Sequence, residues 1–128
     1  MKKTGILLFI GVILVTLSCE KAPTEVTWKY EYEVTGTSGS YDVTIQNTDN
    51  NTQQWSNIGN GWNYWWTQKL TIESNGEPVK GNTRWLYCSA QNNNSSGNVT
   101  VTIKRNGKIV ASNTGFGGYT IATVSGDY

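Results

Sequence analysis

Past residue 25, apolar and polar positions alternate in short runs along most of the chain. Val26, Trp28, Tyr30, Tyr32 and Val34 share one phase, and Thr27, Lys29, Glu31, Glu33 and Thr35 share the other. Successive side chains of a strand point to opposite faces, so this stretch reads as a strand with one buried and one wet face, as in an antiparallel sheet. Gly36-Thr37-Ser38-Gly39 reads as a turn, and Ser40 to Asn47 repeats the alternation with Tyr41, Val43 and Ile45 inward. The polar loop Thr48 to Gln54 leads into a weak strand around Trp55 to Ile58. Asp49 with Asn50 and Asn51 lacks the glycine and closing glutamate of a calcium loop and reads as an ordinary turn.

After Gly59-Asn60-Gly61, the segment WNYWWTQKLTIE puts Trp62, Tyr64, Trp66, Leu70 and Ile72 on one face. Trp65 falls on the other, polar face, where a large aromatic is out of place. Thr83 to Gln91 is a further strand with two admissible phases: Leu86, Cys88 and Ala90 inward with Trp85 and Tyr87 outward, or the reverse. Asn98 to Lys104 alternates again, and Asn106-Gly107 is a strong hairpin signal, because a type I′ turn needs positive φ at both central positions. Lys108 to Ser112 returns, Gly115-Phe116-Gly117-Gly118 reads as a loop, and Tyr119 to Ser125 closes the chain. No window sustains a helical period. Seven to eight short antiparallel strands predict an all-β, immunoglobulin-like β-sandwich, with an eight-stranded up-and-down barrel as the alternative.

The start of the chain follows a different pattern. MKKTGILLFIGVILVTLSC has two lysines, an apolar run from Gly5 to Val15, and the small residue Ser18 before Cys19, the layout of a secretory signal. The run is too short for a membrane-spanning helix of the mature protein. Its VTLSC ending resembles a bacterial lipobox, with Thr16 where leucine is usual; cleavage there would leave Cys19 to carry lipid. Residues 1–18 are then a lipoprotein signal peptide, residues 19–25 a polar tether containing Pro23, and residues 26–128 the β-sandwich domain. The expected location is the cell envelope, lipid-anchored and outside the cytoplasm. Glu20 follows the cysteine in place of an inner-membrane-retaining aspartate, which favours the outer membrane if the host has two.

Composition narrows the chemistry. Removing residues 1–18 from 128 leaves 110, enough for one domain with a core. Loss of Lys2 and Lys3 lowers Lys and Arg from 10 to 8, against 9 acids, so no basic surface for nucleic acid is expected. The chain has no histidine, which removes the usual general base and neutral metal ligand. Once Cys19 is acylated, Cys88 is the only thiol, and it reads as a small buried apolar residue. No cofactor and no metal site are expected, and an enzyme is not.

YEVTG (Tyr32–Gly36), DVTI (Asp42–Ile45), Trp66 ahead of Leu70 and Ile72, LYCSAQN (Leu86–Asn92), NVTVTIKRNGKIV (Asn98–Val110) and YTIATVSG (Tyr119–Gly126) resemble, in order and spacing, the MmpS family. Those are small membrane-anchored proteins with an extracytoplasmic β-sandwich, accessory to exporters of the resistance-nodulation-division class. The resemblance implies an accessory function through contact with an envelope protein. It also favours Leu86, Cys88 and Ala90 inward. Val101 and Val124 stand where the family carries cysteines, which implies an apolar contact in place of a disulfide. Trp65 stands where the family has a proline, and the family's anchor is typically an uncleaved helix.

Two modes of action follow. In the first, the domain works through protein contacts at the envelope. In the second, it binds a glycan or small ligand: Trp65, Trp85 and Tyr87 are expected outward, with Arg84, Asn63 and Asn60 supplying hydrogen bonds. The same aromatics could equally be cross-strand pairs that stiffen an exposed sheet.

Overall fold

The computed structural model describes residues 21–128. The expected signal peptide, residues 1–18, and the expected lipidation site Cys19 lie outside the described residues, as does Glu20 of the expected tether. Eight strands make up the fold: β1 (Thr24–Gly36), β2 (Tyr41–Gln46), β3 (Thr52–Ile58), β4 (Trp62–Ile72), β5 (Trp85–Asn92), β6 (Asn98–Arg105), β7 (Lys108–Phe116) and β8 (Ile121–Asp127). They form two four-stranded sheets, ordered β4-β1-β6-β7 and β3-β2-β5-β8, with every pairing antiparallel. The sheets stay open, so the fold is a β-sandwich and not the barrel. It shares the two-layer packing of immunoglobulin domains but not their strand order.

The period-two pattern becomes the core. Tyr30, Tyr32 and Val34 of β1, Val99, Val101 and Ile103 of β6, Tyr41, Val43 and Ile45 of β2, and Leu86, Cys88 and Ala90 of β5 are all buried in one cluster. Val101 and Val124 belong to that cluster from opposite sheets. Of the aromatics on β4, only Trp66 is fully enclosed. Trp62 and Tyr64 are half-buried because β4 is an edge strand, and they meet Trp55 of edge strand β3 at ring separations of 5.0 and 5.9 Å.

Strand boundaries differ from the sequence expectation most at β1, β3 and β7. β1 begins at Thr24, because Thr24 and Glu25 of the expected tether pair with Ile72 and Thr71. β3 begins at Thr52, because Thr52 to Gln54 pair with Gln46 to Thr44 although their side chains are polar. β7 runs through the expected loop as far as Phe116, and Tyr119 lies outside any strand, with Ala122 and Val124 facing inward on β8. The expected Asn106-Gly107 turn is present, with φ of 50° and 78°. Asn106 also ties the hairpin to β1, its amide donating to the Lys29 carbonyl (2.7 Å) and its Oδ1 accepting from the Lys29 amide (2.8 Å). Asp49 sits in a turn closed by Asn47, whose Oδ1 accepts from the amides of Asp49 and Asn51.

Candidate functional site

β5 lies between β2 and β8. Burying Leu86, Cys88 and Ala90 turns Trp85, Tyr87, Ser89 and Gln91 to the outer face, the phase the family resemblance favours. Trp85 is 54% exposed and Tyr87 half-buried. Trp65 is 59% exposed, but it projects from β4, on the outer face of the other sheet, where the Lys29 ammonium lies 4.9 Å from its ring. Arg84 has the opposite parity to Trp85 and is half-buried, with Nη2 3.5 Å from Asn50 Oδ1. Asn60 is occupied in a backbone contact, its Oδ1 accepting from the Gly36 amide at 2.9 Å. The structure therefore brings together only Trp85 and Tyr87. Trp65 does not join them because the two sheets present their outer faces in opposite directions, and Arg84 does not because it has the opposite parity on the same side of the fold.

A different set of side chains converges on that face. A cleft of about 290 Å³ is lined by Asp42, Val43 and Thr44 of β2, Gln54, Trp55 and Ser56 of β3, Ser89 and Gln91 of β5, and Ile121 of β8. A β-bulge shapes it: Ser56 and Asn57 together oppose Asp42, with Asn57 in the left-handed region at φ 54°. The displaced Asn57 amide donates to Asp42 Oδ1 at 2.9 Å, and Asn93 Nδ2 donates to the same oxygen at 2.8 Å. These two hydrogen bonds, the Asn57 amide first, hold the Asp42 carboxyl below the usual carboxylate range. Ser40 extends the network, its hydroxyl donating to Asn57 Oδ1 at 3.2 Å and accepting from Asn93 Nδ2 at 3.4 Å. Beside it, Gln54 Nε2 donates to Thr44 Oγ1 at 3.3 Å, and the Ser89 and Thr123 hydroxyls pair at 2.9 Å.

Alternation puts Asp42 and Thr44 outward in the sequence, but nothing local shows that β3, β2, β5 and β8 set them beside Ser56, Gln91 and Ile121. The bulge that aims Asp42 has no sequence mark beyond an asparagine able to take positive φ. The ion pairs among the described residues, Lys104–Glu33 at 2.8 Å and Lys69–Glu25 at 3.4 Å, do not involve Asp42.

The connection between β7 and β8 carries large exposed apolar side chains. Phe116 is 77% exposed, Tyr119 63% and Ile121 58%, yet their backbone is firmly held. A Cβ at Gly118 would collide with the Ser95 backbone. The buried Asn92 donates from Nδ2 to the carbonyls of Ser96 (2.9 Å) and Gly117 (3.0 Å) and accepts at Oδ1 from the Asn94 amide (2.9 Å). Tyr119 takes φ 56°, an uncommon conformation for a bulky side chain, and its amide donates to the Asn94 carbonyl at 3.0 Å.

Cys88 is fully buried, and burial pushes its thiol up to about 12, which favours the protonated thiol at neutral pH. Among the described residues, no three His, Cys, Asp or Glu side chains could jointly hold a metal ion, and no helix is long and apolar enough to cross a membrane. Compared with models of known protein families and with curated proteins, the chain matches none.

Proposed function

We propose that the chain is a lipid-anchored, non-catalytic module of the cell envelope that acts by contact, as an accessory to another envelope component. The observation that carries this reading is a rigid, exposed apolar tip at the pole opposite the tether. β1 starts at Thr24, taking in the last two residues of the expected tether. Its far end, Gly36, pairs with Val99, and the neighbouring Asn98 pairs with Phe116. Thirteen residues at about 3.3 Å each separate the two poles by about 40 Å. Phe116 and Tyr119 are thus carried away from the anchored end on a backbone held by Asn92 and Gly118. Apolar side chains fixed in solvent gain by docking, because little conformational freedom is left to lose.

The signal and Cys19 support the anchor, and the likeness to the MmpS family supports an accessory role at an export system. The missing histidine and the inaccessible Cys88 thiol support a non-catalytic domain. The test is made in the native host, with a photo-crosslinking residue at position 119 and a palmitate analogue as label. The expected result is lipid label on wild type and none on Cys19→Ala, with a discrete crosslinked envelope protein from position 119 and none from position 69. Equal label on both forms would remove the anchor; identical crosslinking patterns from the two positions would remove the tip.

A further inference from the structure

The polar cleft calls for an account of its own, because two strands and a loop converge on one carboxylate of an outward sheet face and leave its second oxygen open. We propose that the cleft and the adjoining row of β5 side chains bind a neutral oligosaccharide. The proposal rests on the non-catalytic reading above but uses a different surface.

The lining decides the ligand class by elimination. No lysine or arginine lines the cleft, and Asp42 places a negative charge there, so phosphate, sulfate and carboxylate ligands are disfavoured. A metal ion would need more hard ligands than one carboxylate whose Oδ1 already accepts two hydrogen bonds. An apolar ligand would leave the Asp42, Gln54, Ser56 and Gln91 groups buried without partners, at a cost for each. An extended peptide is recognised chiefly through its backbone at a sheet edge, whereas a sheet face offers only side chains.

A carbohydrate fits what remains. Its hydroxyls both donate and accept, matching a site that mixes a carboxylate acceptor, amides and hydroxyls. Asp42 Oδ1 is already engaged, and Oδ2 accepts no hydrogen bond among the described residues, so a ligand hydroxyl can donate to it without displacing the network. The Asn57 and Asn93 contacts hold the carboxylate in place and ionised before any ligand arrives, which lowers the ordering cost of binding. The volume of about 290 Å³ is at the small end for a ligand site and suits a single sugar unit rather than a whole chain.

The remainder of a chain has a path. Gln91, Ser89, Tyr87 and Trp85 follow one another along the outer face of β5, and six rises of about 3.3 Å make this row about 20 Å long. It begins in the hydrogen-bonding cleft and ends on two aromatic rings. Pyranose rings have apolar C–H faces as well as hydroxyl edges, so successive units can use both kinds of surface. The candidates Trp85 and Tyr87 thus take part in recognition as the far end of the row, without Trp65.

The test is a glycan array of neutral and anionic oligosaccharides probed with soluble residues 20–128, followed by calorimetric titration of any neutral glycan bound. Ser89→Tyr fills the cleft from a half-buried position on the outward face of β5, Trp85→Ala removes the far platform, and Trp65→Ala is the control on the opposite face. Thermal melts establish that each variant is folded; if Ser89→Tyr is not, Gln91→Ala takes its place. The expected result is binding of neutral glycans, weakened at least tenfold by Ser89→Tyr and severalfold by Trp85→Ala, and unchanged by Trp65→Ala. Three results would each overturn the proposal: no glycan bound by wild type, anionic glycans alone bound, or binding that survives Ser89→Tyr or Gln91→Ala. None of them bears on the lipid anchor or on crosslinking from position 119, so the two readings fail separately.

Discussion

Two core tyrosines of β1, Tyr30 and Tyr32, show how single atoms join the two sheets. The Tyr32 hydroxyl donates to the Gln46 carbonyl at 3.2 Å and accepts from the Tyr87 amide at 3.2 Å. The β2–β5 register, continued by one residue past Ile45–Cys88, would pair Gln46 with Tyr87. The hydroxyl of β1 therefore sits where the ladder opens, satisfying both strands from the opposite sheet. Tyr30 donates to the Tyr128 carbonyl at 2.9 Å, and Tyr41 to the Ser38 carbonyl at 2.6 Å. Tyr32→Phe keeps the ring but leaves a partly buried amide and carbonyl without this partner, at an expected cost of about 1–3 kcal/mol. Urea denaturation checks this: the midpoint should fall with an unchanged slope, and an unchanged midpoint would show the bridge to be idle. Alternation was enough to place Tyr30, Tyr32 and Tyr41 inward. It could not reveal the acceptors of Tyr30 and Tyr32, which belong to backbone brought near by the fold, whereas the Ser38 acceptor of Tyr41 lies three residues back along the chain.

At the scale of the element, hairpins and phases were legible because they depend on neighbours in sequence. The type I′ turn at Asn106-Gly107 and the inward row of β1 are of this kind. Strand pairing is long-range, and it decides what the phases mean. Trp65 and Trp85 carry the same local signature, an aromatic facing outward, yet β4 and β5 lie in different sheets and point them apart. The cleft is the converse case: Asp42, Ser56, Gln91 and Ile121 have unremarkable local contexts and meet only through three strand pairings. The β6–β7 hairpin gives a direct check of an element. Asn106→Ala removes the acceptor for the Lys29 amide and puts a less tolerant residue at φ 50°. The expected loss is about 1–2 kcal/mol, read as a lower melting temperature. A melting temperature equal to that of wild type would show that the tie to β1 contributes nothing.

For the molecule as a whole, its buried ionisable groups set its response to pH. Burial raises the Cys88 thiol to about 12 and raises the phenols of Tyr30 and Tyr32, with nearby Arg105 partly opposing the effect at Tyr30. For groups raised in the folded state, stability is fully present below their unfolded pKa values, about 8.5 for a thiol and 10 for a phenol, and is lost as pH rises through the folded values. The denaturation midpoint should therefore hold steady across pH 6 to 8, where no histidine titrates, and fall progressively from about pH 9 upward. A midpoint unchanged at pH 11 would contradict the burial of these groups. Asp42 works in the opposite sense: its lowered carboxyl favours the folded state above the ordinary carboxylate range, and that contribution fades as the pH falls through its folded value.

β1 is flanked on both sides by antiparallel partners, β4 and β6, and the tether enters at its first residue. On the proposed arrangement, with a lipid anchor at one pole and a partner or glycan held toward the other, tension across the domain would run along the strand axes. Hydrogen bonds in an antiparallel ladder lie perpendicular to that direction. Pulling then shears many of them at once and does not peel them apart one by one. The sandwich behaves as a stiff spacer, about 40 Å long by the reach of β1, that resists being drawn out by what it holds.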